Sequence, residues 1–429
     1  MTKNIFFGEF TPSTKQDWKE LVIKDLKGAD FNEKMLWNSI DGFIAEPFYT
    51  LEDIKNLNHL KANPAEFPFV RGNKSDSNSW QICQKVIVKK IKDANKTAVN
   101  AVSKGADGIE FVLAVLLNED DFSNLLKNIA LEKIYLHFSG SHAYSVLLQL
   151  LEKEAKKRNI DTNNIKGSLN FDSFSYYLLN GNYYNSFEDN MNELQCLLKI
   201  ANEQFKNFHI LTVNGHHFHN AGASIVQELA FTLSSANDYI YNMLEKGMSL
   251  EDILPRIRFS FATGSSYFPE IAKIRAARML WSEIVKQYNP ANAQLCKVNI
   301  HSTTSLLNKT ACEPYNNVLR GTTETMSAVL GGVDSFTVNP HDFTYKDTDS
   351  FSERIARNIQ LILKEEAYFD KVVDPAAGSY YIENLTVSIA SNAWKLFLKI
   401  EKMGGFVKAM ELLFIKQEIE KCILSKKQG

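Results

Sequence analysis

The sequence predicts an α/β fold, a (β/α)8 TIM barrel with an extended N-terminal arm and C-terminal helices. From about residue 105 onward, short apolar runs alternate with longer segments of helical periodicity. Eight such units over about 280 residues match the size of this barrel. Strands separated by helices favour parallel pairing, because a parallel connection needs a crossover of a dozen residues or more. An open, doubly wound sheet is the competing architecture.

Eight apolar runs are predicted to be the strands, and they place the barrel at residues 105–385. Each run is bounded by polar or glycine-containing turns, as is typical of strands in a buried parallel sheet. The predicted strands are 108–115, 132–139, 166–171, 209–214, 258–264, 297–302, 333–339 and 380–384.

Helices are predicted between these strands, where apolar residues recur at i, i+3 and i+4. Gly247 follows one of these segments and Asn289-Pro290 follows another, as stop signals do. Gly331-Gly332 indicates a helix C-cap and a turn. The predicted helices are 186–205, 221–246, 268–288, 317–330 and 352–366.

Both ends of the chain depart from this alternation. Residues 1–104 contain one amphipathic helix at 15–26 and scattered aromatic residues, which indicates an arm laid across another surface. Residues 386–429 are predicted to be helical, with one helix at 386–402 and a second at 407–424.

Composition excludes several classes of protein. Lys+Arg 48 against Asp+Glu 50 gives a net charge of −2, which argues against a nucleic-acid binder that relies on a basic field. The sequence contains no apolar run long enough to cross a membrane, and its N-terminus is too charged for a signal peptide. The five cysteines are dispersed and never form C-x-x-C, so we expect a cytoplasmic protein without a disulfide scaffold or structural zinc.

Polar side chains at the carboxyl ends of the predicted strands are the candidate site residues, because the chemistry of such barrels takes place there. An imidazole at that position can act as a general acid, a hydrogen-bond donor or a metal ligand. The candidates are Asn170, Asp172, His216, His217, His219 and His301.

Metal binding is one interpretation of the GHHFHNAG segment. His217 and His219 share one face if this segment is extended, so two ligands are available there. A zinc hydrolase needs a third ligand, and Asp172 and His301 are the obvious further donors. The other interpretation is that the histidines bind loop backbone groups. We expect no metal site.

A basic segment lies in the predicted helix 268–288. Lys273, Arg275 and Arg278 stand close together there and could contact phosphates, but a solvated helix face is the favoured interpretation. No glycine-rich phosphate loop appears in the sequence.

Several long and unusual sequence blocks occur along the chain. They include DLKGADF near the N-terminus, NPAEFPFVRG at 63–72 and NGHHFHNAGASIVQELAFTLSSANDYI at 214–240. Together these blocks resemble methylmalonyl-CoA mutase and related acyl-CoA mutases, over nearly the whole chain. The remaining blocks of the resemblance are 269–281, 313–339, 351–366 and 372–386.

The resemblance implies radical chemistry that depends on adenosylcobalamin. In the family, methylmalonyl-CoA and succinyl-CoA interconvert inside the barrel, with the CoA tail threaded along its axis. A separate C-terminal domain holds cobalamin through the histidine of a D-x-H-x-x-G motif. None of the nine histidines here has an aspartate two positions before it. We therefore expect no cobalamin-binding domain and no cofactor-binding residue in this chain.

The barrel also departs from the family's catalytic pattern. The Tyr and R-Q-Y that follow PF-x-RG are missing after Arg71-Gly72, and FVLAVLLNE replaces the F-D-L-P-T-Q strand end. Asn170 stands where the family has a catalytic glutamine. His216 replaces the tyrosine of a Tyr-His pair and leaves His217. His301 lacks the Q-T-S-G-W segment that follows it in the family, so these positions are predicted to be vestigial and no catalytic residue is expected.

With these losses, the chain resembles the non-catalytic small subunit of heterodimeric members of the family. The resemblance implies a large catalytic subunit as partner, wrapped by the arm 1–104, within an isomerase complex whose adenosylcobalamin this chain does not ligate. The alternative is a substrate-binding barrel of an active acyl-CoA mutase that works with a separate cobalamin-binding chain. In that case this chain binds acyl-CoA itself.

Overall fold

Eight parallel strands close into a barrel at the centre of the molecule. The computed structural model describes residues 13–428. The barrel order is β10-β3-β4-β5-β6-β7-β8-β9, and every neighbouring pair is parallel. The predicted TIM barrel is thus confirmed. The strands are Trp37–Asn38 (β1), Ile44–Ala45 (β2), Gln81–Val88 (β3), Gly108–Leu113 (β4), Tyr135–Ser139 (β5), Gly167–Phe171 (β6), Phe208–Val213 (β7), Ile257–Thr263 (β8), Asn299–Thr304 (β9) and Ser335–Thr337 (β10).

Helices surround the barrel and connect its successive strands. The five helices predicted between strands are all present, with ends that differ by a few residues, and the last continues as a π-helical turn at Ile362–Glu366. The helices are Lys15–Asp25 (α1), Phe31–Met35 (α2), Leu51–Ile54 (α3), Ile91–Ser103 (α4), Glu119–Leu125 (α5), Tyr144–Lys157 (α6), Ser173–Asn180 (α7), Phe187–Gln204 (α8), Gly215–Asn220 (α9), Ile225–Glu245 (α10), Leu250–Ile253 (α11), Tyr267–Gln287 (α12), Asn316–Leu330 (α13), Ser350–Leu361 (α14), Tyr380–Lys402 (α15), Phe406–Glu411 (α16) and Phe414–Gln428 (α17).

The barrel strands are largely buried on both faces, apart from Lys85 and Ile87 of β3, and the two faces differ in polarity. In β8, Phe259 packs edge-on against Trp281 of α12, with ring centroids 4.9 Å apart. Its neighbours Arg258 and Ser260 point into the lumen. Apolar side chains therefore form the layer between strands and helices, while polar side chains fill much of the interior of the barrel.

Two strand assignments from the sequence are wrong. The first barrel strand is Gln81–Val88, which lies inside the segment 1–104 predicted to be an arm, so the barrel begins before residue 105. Gln84, which accepts a hydrogen bond from Arg357 of α14, and the lumen-facing Lys85 interrupt the apolar run and disguised it. Residues 380–384 begin helix α15 instead of forming a strand, because Ser379 caps the helix by accepting a hydrogen bond from the Ile382 amide.

The N-terminal segment before β3 lies on the outside of the barrel. The predicted helix 15–26 is confirmed as α1, which starts at a Thr14 capping box and buries none of its residues. The β1–β2 hairpin is fixed to the barrel where the Val226 amide donates to Asp41 Oδ1 at 2.9 Å. Residues 1–12 of the predicted arm lie outside the described residues.

The basic segment of α12 is buried, so the prediction of a solvated helix face is wrong. Lys273 Nζ lies 2.7 Å from Glu228 Oε2 and 2.6 Å from Glu270 Oε2, and none of these side chains is exposed beyond a few per cent. Arg275 binds Asp374 and, at 2.8 Å, Glu383.

Arg278, the third cation, donates to the carbonyl oxygens of Gly331 and Gly332. Gly331 caps α13 and Gly332 has φ +81°, so the predicted helix cap and turn are confirmed. The three side chains thus bind carboxylates and carbonyls of this chain instead of water or phosphate.

The C-terminal helices pack against helices α10 and α12, which surround the barrel. Helix α15 lies against α10 and α12, and Gly405, with φ +92°, separates it from α16. The second predicted helix is divided into α16 and α17 at Leu413. Within residues 13–428, no helix combines the length and the apolar character that crossing a membrane requires.

Candidate functional site

A cavity of about 270 Å³ lies inside the barrel, toward the carboxyl ends of the strands. All eight barrel strands contribute side chains to it, and most of these are polar. The four positions predicted to be vestigial all line this cavity. They are Asn170 on β6, His216 and His217 after β7, and His301 on β9. Its principal polar residues are Lys85, Glu110, His137, Ser168, Asn170, Thr212, Asn214, His216, His217, Arg258, Ser260, His301, Thr303 and Thr337.

Arg258 crosses the lumen and forms the floor of this cavity. Its Nη1 atom lies 2.7 Å from Ser168 Oγ and 3.0 Å from His137 Nδ1, on strands β6 and β5. Its Nη2 atom lies 2.7 Å from Ser335 Oγ on β10. Because β10 stands on the other side of β8 from β5 and β6, the guanidinium group must reach across the barrel to contact all three strands.

Further contacts join the floor into one polar layer. His301 Nδ1 lies 2.9 Å from Ser335 Oγ, and Cys83 Sγ lies 3.8 Å from His137 Nε2. Burial raises the pKa of the Cys83 thiol to about 12, so this cysteine is protonated and unreactive at neutral pH. The layer therefore spans the lumen with hydrogen-bonded side chains from β3, β5, β6, β8, β9 and β10.

The histidine segment is helical, which separates the histidines that an extended segment would have placed together. Residues Gly215–Asn220 form α9, so His216 and His217 line the cavity with ring centroids 4.1 Å apart. His219 turns away, and its Nε2 atom lies 2.8 Å from Ser305 Oγ. Among the described residues, no three His, Cys, Asp or Glu side chains come together as a metal site.

The two polar residues at the end of β6 have different surroundings. Asn170 lines the cavity and accepts a hydrogen bond from Asn214 Nδ2 at 2.8 Å. Asp172 is buried behind it, where it accepts from the Asn214 amide at 2.9 Å and from the Tyr239 hydroxyl at 3.0 Å. Asp172 therefore holds the strand end and α9 in place, and it does not line the cavity.

The imidazoles of the cavity are held neutral. Burial is the main cause that lowers the pKa of His216 and of His301 well below the usual range, and nearby positive charges add to it. Lys85 acts in this way on both histidines, and Arg258 acts on His301. Burial and Lys85 also lower the pKa of His217, while Asp172 opposes them. At neutral pH these side chains are hydrogen-bonding groups and not charges.

Sequence reasoning did not find the charged residues of the cavity, Lys85, Glu110 and Arg258. Each stands in a strand whose other residues are largely apolar and buried. A charge inside a parallel strand that is buried on both faces is the signal that could have identified them, since such a side chain must face a polar lumen.

The closed parallel barrel and the polar cavity at its carboxyl end define the class: this is a (β/α)8 barrel with the site geometry that barrel enzymes share. The family model for methylmalonyl-CoA mutase matches residues 38–118 and 114–429. The chain belongs to the methylmalonyl-CoA mutase family.

Individual relatives agree with this assignment. The methylmalonyl-CoA mutase small subunit of Porphyromonas gingivalis is 40% identical to this chain over an alignment of 433 positions, which covers 100% of this chain and 69% of that protein. Methylmalonyl-CoA mutase of Rhizobium meliloti is 31% identical, over 96% of this chain and 61% of that protein. The large subunit from Streptomyces virginiae is 27% identical, over 95% of this chain and 59% of that protein. This chain is therefore similar to one part of longer proteins.

Proposed function

We propose that this chain is the non-catalytic small subunit of a heterodimeric methylmalonyl-CoA mutase and acts in the cytoplasm. The large subunit then carries out the interconversion of methylmalonyl-CoA and succinyl-CoA. The observation that carries the proposal is the polar floor at Arg258, because a CoA tail needs an open path along the barrel axis. The Porphyromonas gingivalis relative, which is named as a small subunit, supports the same assignment.

The residues of this cavity are not suited to act as the lower ligand of cobalamin. A lower ligand must present a free ring nitrogen to a corrin that is much larger than a cavity of about 270 Å³. Here His216 and His301 each contact a serine through Nδ1, and their Nε2 atoms lie within the lumen, where a corrin has no room. In our proposal adenosylcobalamin belongs to the holoenzyme and is held by the partner.

The arm presents apolar side chains that fit a protein partner. Leu21, Trp37, Ile40, Ile44 and Leu51 are each about half exposed in this chain alone. Exposed apolar side chains grouped on one segment are typical of protein interfaces. We propose that the large subunit covers them, which would account for a helix α1 that buries no residue against residues 13–428 of its own chain.

The test is acyl-CoA binding by the isolated chain, measured by calorimetry with methylmalonyl-CoA at millimolar concentration. We expect no binding by the unmodified chain. Arg258→Ser removes the side chain that crosses the lumen, and binding by this variant alone would identify Arg258 as the barrier. Binding by the unmodified chain would overturn the proposal and favour the alternative, an active barrel that works with a separate cobalamin-binding chain.

A second measurement addresses the partner. The chain mixed with the large subunit of the same organism should elute as a 1:1 complex in size-exclusion chromatography with light scattering. Mutase activity of that complex should survive His217→Ala in this chain, because His217 contacts no substrate in the proposal. Loss of activity with an intact complex would show that the cavity takes part in catalysis.

A further inference from the structure

We propose that the cavity above the Arg258 floor binds a small free oxyanion, a short carboxylate or a phosphate, through the Lys85 ammonium and the Arg258 guanidinium groups. The site would make this chain a receptor for a small effector, and not only a structural partner. The proposal concerns compact anions that enter from the carboxyl face of the barrel, and it does not depend on the chain's being a small subunit.

The Arg258 charge is buried, and no carboxylate among the described residues forms an ion pair with it. Its side chain is 5% exposed, and its hydrogen-bond partners His137, Ser168 and Ser335 are all neutral. Its Nε atom has no hydrogen-bond partner among the described residues. Burying a cation costs several kcal/mol unless an opposite charge compensates it, and Arg275 in the same protein has two carboxylates for that purpose. An anion in the cavity would compensate Arg258.

Lys85 supplies a second cation to the same cavity. It points inward from β3 and, within the part of the chain that the structure describes, no carboxylate forms an ion pair with it. Its cross-strand neighbour Glu110 accepts a hydrogen bond from Ser139 Oγ at 2.8 Å instead. With Lys85 and Arg258 against Glu110 and neutral imidazoles, the cavity carries a net positive charge.

The size and lining of the cavity restrict the ligand to a compact anion. About 270 Å³ of space above a closed floor admits a small molecule from one side and leaves no path for a long chain. The Asn170 amide and the surrounding hydroxyl groups offer further polar contacts to an oxyanion, whereas Asn214 Nδ2 already donates to Asn170, Asp172 and the Thr212 carbonyl. Proteins usually bind carboxylate and phosphate through charge-assisted hydrogen bonds from ammonium and guanidinium groups.

The experiment titrates the full chain in chloride buffer with sodium malonate or sodium phosphate, and follows the histidine ring signals by NMR. We expect saturable shifts of the His216 and His217 signals with at least one of the two anions. Lys85→Gln should weaken binding by about tenfold or more, because it removes one charge-assisted contact. Lys85→Arg keeps the charge and should retain binding. Saturation with malonate alone identifies a carboxylate ligand, and saturation with phosphate alone identifies a phosphate ligand.

Lys153→Gln is the matched control, since Lys153 is 60% exposed and pairs only with the exposed Glu119. This variant should bind as the unmodified chain does. The inference is overturned if neither anion gives saturable shifts, or if Lys85→Gln and Lys153→Gln bind equally well. Anion binding without acyl-CoA binding leaves the proposed function intact, while acyl-CoA binding contradicts that function alone.

Discussion

Two buried arginines show how differently one barrel compensates a charge. Arg275 on α12 contacts Asp374 and Glu383, and Glu383 also accepts from His59 Nε2 at 2.7 Å. These contacts outweigh burial and lower the pKa of Glu383 to about 2, so the Glu383 carboxylate is ionised at neutral pH. The hydrogen-bond partners of Arg258 in the described part of the chain are neutral, and its guanidinium group faces a cavity. The first arrangement stabilises the fold, while the second leaves a charge for a ligand.

Arg275→Met should strongly destabilise the protein. The variant leaves Glu383 and Asp374 buried without their shared cation, and breaking a buried ion pair in this way costs about 3–5 kcal/mol. Urea denaturation measures the free energy of unfolding. Lys408→Met removes a pair between two half-exposed side chains and should change that free energy by less than about 1 kcal/mol. Equal effects of the two substitutions would contradict the buried cluster.

Stability should fall as the pH drops below about 6.5. Burial, with Arg258 nearby, lowers the pKa of His209 to about 4. The unfolded chain therefore binds a proton between pH 6.5 and 4 that the folded chain excludes, and the free energy of unfolding decreases in that window. One such histidine contributes a slope of up to about 1.4 kcal/mol per pH unit.

His209→Gln tests this assignment, because glutamine does not titrate. The free energy of unfolding is measured by urea denaturation at roughly pH 7.5, 6.5, 5.5 and 4.5, which covers that window. It should decrease less with falling pH for the variant than for the unmodified chain. The same slope in both proteins would mean that His209 does not account for the acid sensitivity.

Among the elements, β6 depends on a close approach to its neighbour. Gly167 begins this strand opposite Leu136 of β5, and a Cβ atom on Gly167 would lie 1.8 Å from the Leu136 carbonyl oxygen. The strand cannot shift without moving Ser168 and Asn170, which line the cavity. A glycine at the start of this strand is therefore required by the geometry of the site.

Gly167→Ala should cost roughly 3 kcal/mol or more, because the backbone of β5 or β6 must move to relieve the overlap. Gly321→Ala is the control: a Cβ there meets Val338 at 3.7 Å in ordinary contact, within helix α13. Alanine should stabilise that helix by about 0.5–1 kcal/mol. Thermal unfolding distinguishes the two, and a Gly167→Ala protein as stable as the unmodified chain would refute the close approach.

The elements also show where local sequence patterns mislead. The YYIEN run has strand-like residues, yet Glu383 within it is held by Arg275 and Ser379 starts a helix ahead of it. Residues 81–88 look irregular because one face of the strand lines a polar lumen. In both cases tertiary contacts outweigh the local pattern.

For the whole molecule, the proposed heterodimer makes the arm the decisive region. Leu51→Asp and Ile44→Asp place charges on side chains that are 62% and 56% exposed in this chain alone. We expect at least about tenfold weaker binding to the large subunit, since a charge buried in an interface without a partner is unfavourable. The melting temperature of the isolated chain should stay unchanged.

Leu424→Asp provides the comparison, because Leu424 is a 59% exposed leucine of α17 outside the arm. Surface-plasmon resonance with immobilised large subunit measures all three variants. If Leu424→Asp weakens the complex and the arm variants do not, the interface lies elsewhere on the chain.

The alternation of apolar runs and amphipathic segments, together with the long family blocks, was sufficient to predict the barrel and the family. Periodicity reports which residues are buried, and burial constrains a strand or helix locally. The positions of Asn170, His216, His217 and His301 at the carboxyl end of the barrel followed from the same reasoning, and the cavity includes all four.

The charges and the floor of the cavity could not be predicted in this way. Arg258 becomes a floor only because Ser168, His137 and Ser335, far apart in the chain, lie within reach of one guanidinium group. The same holds for Lys273 and Arg275. Their sequence pattern predicts a solvated helix face, but in the folded chain they pair with Glu228 and Glu383. Whether a charge is solvated, paired or left for a ligand depends on neighbours that only the folded chain brings together.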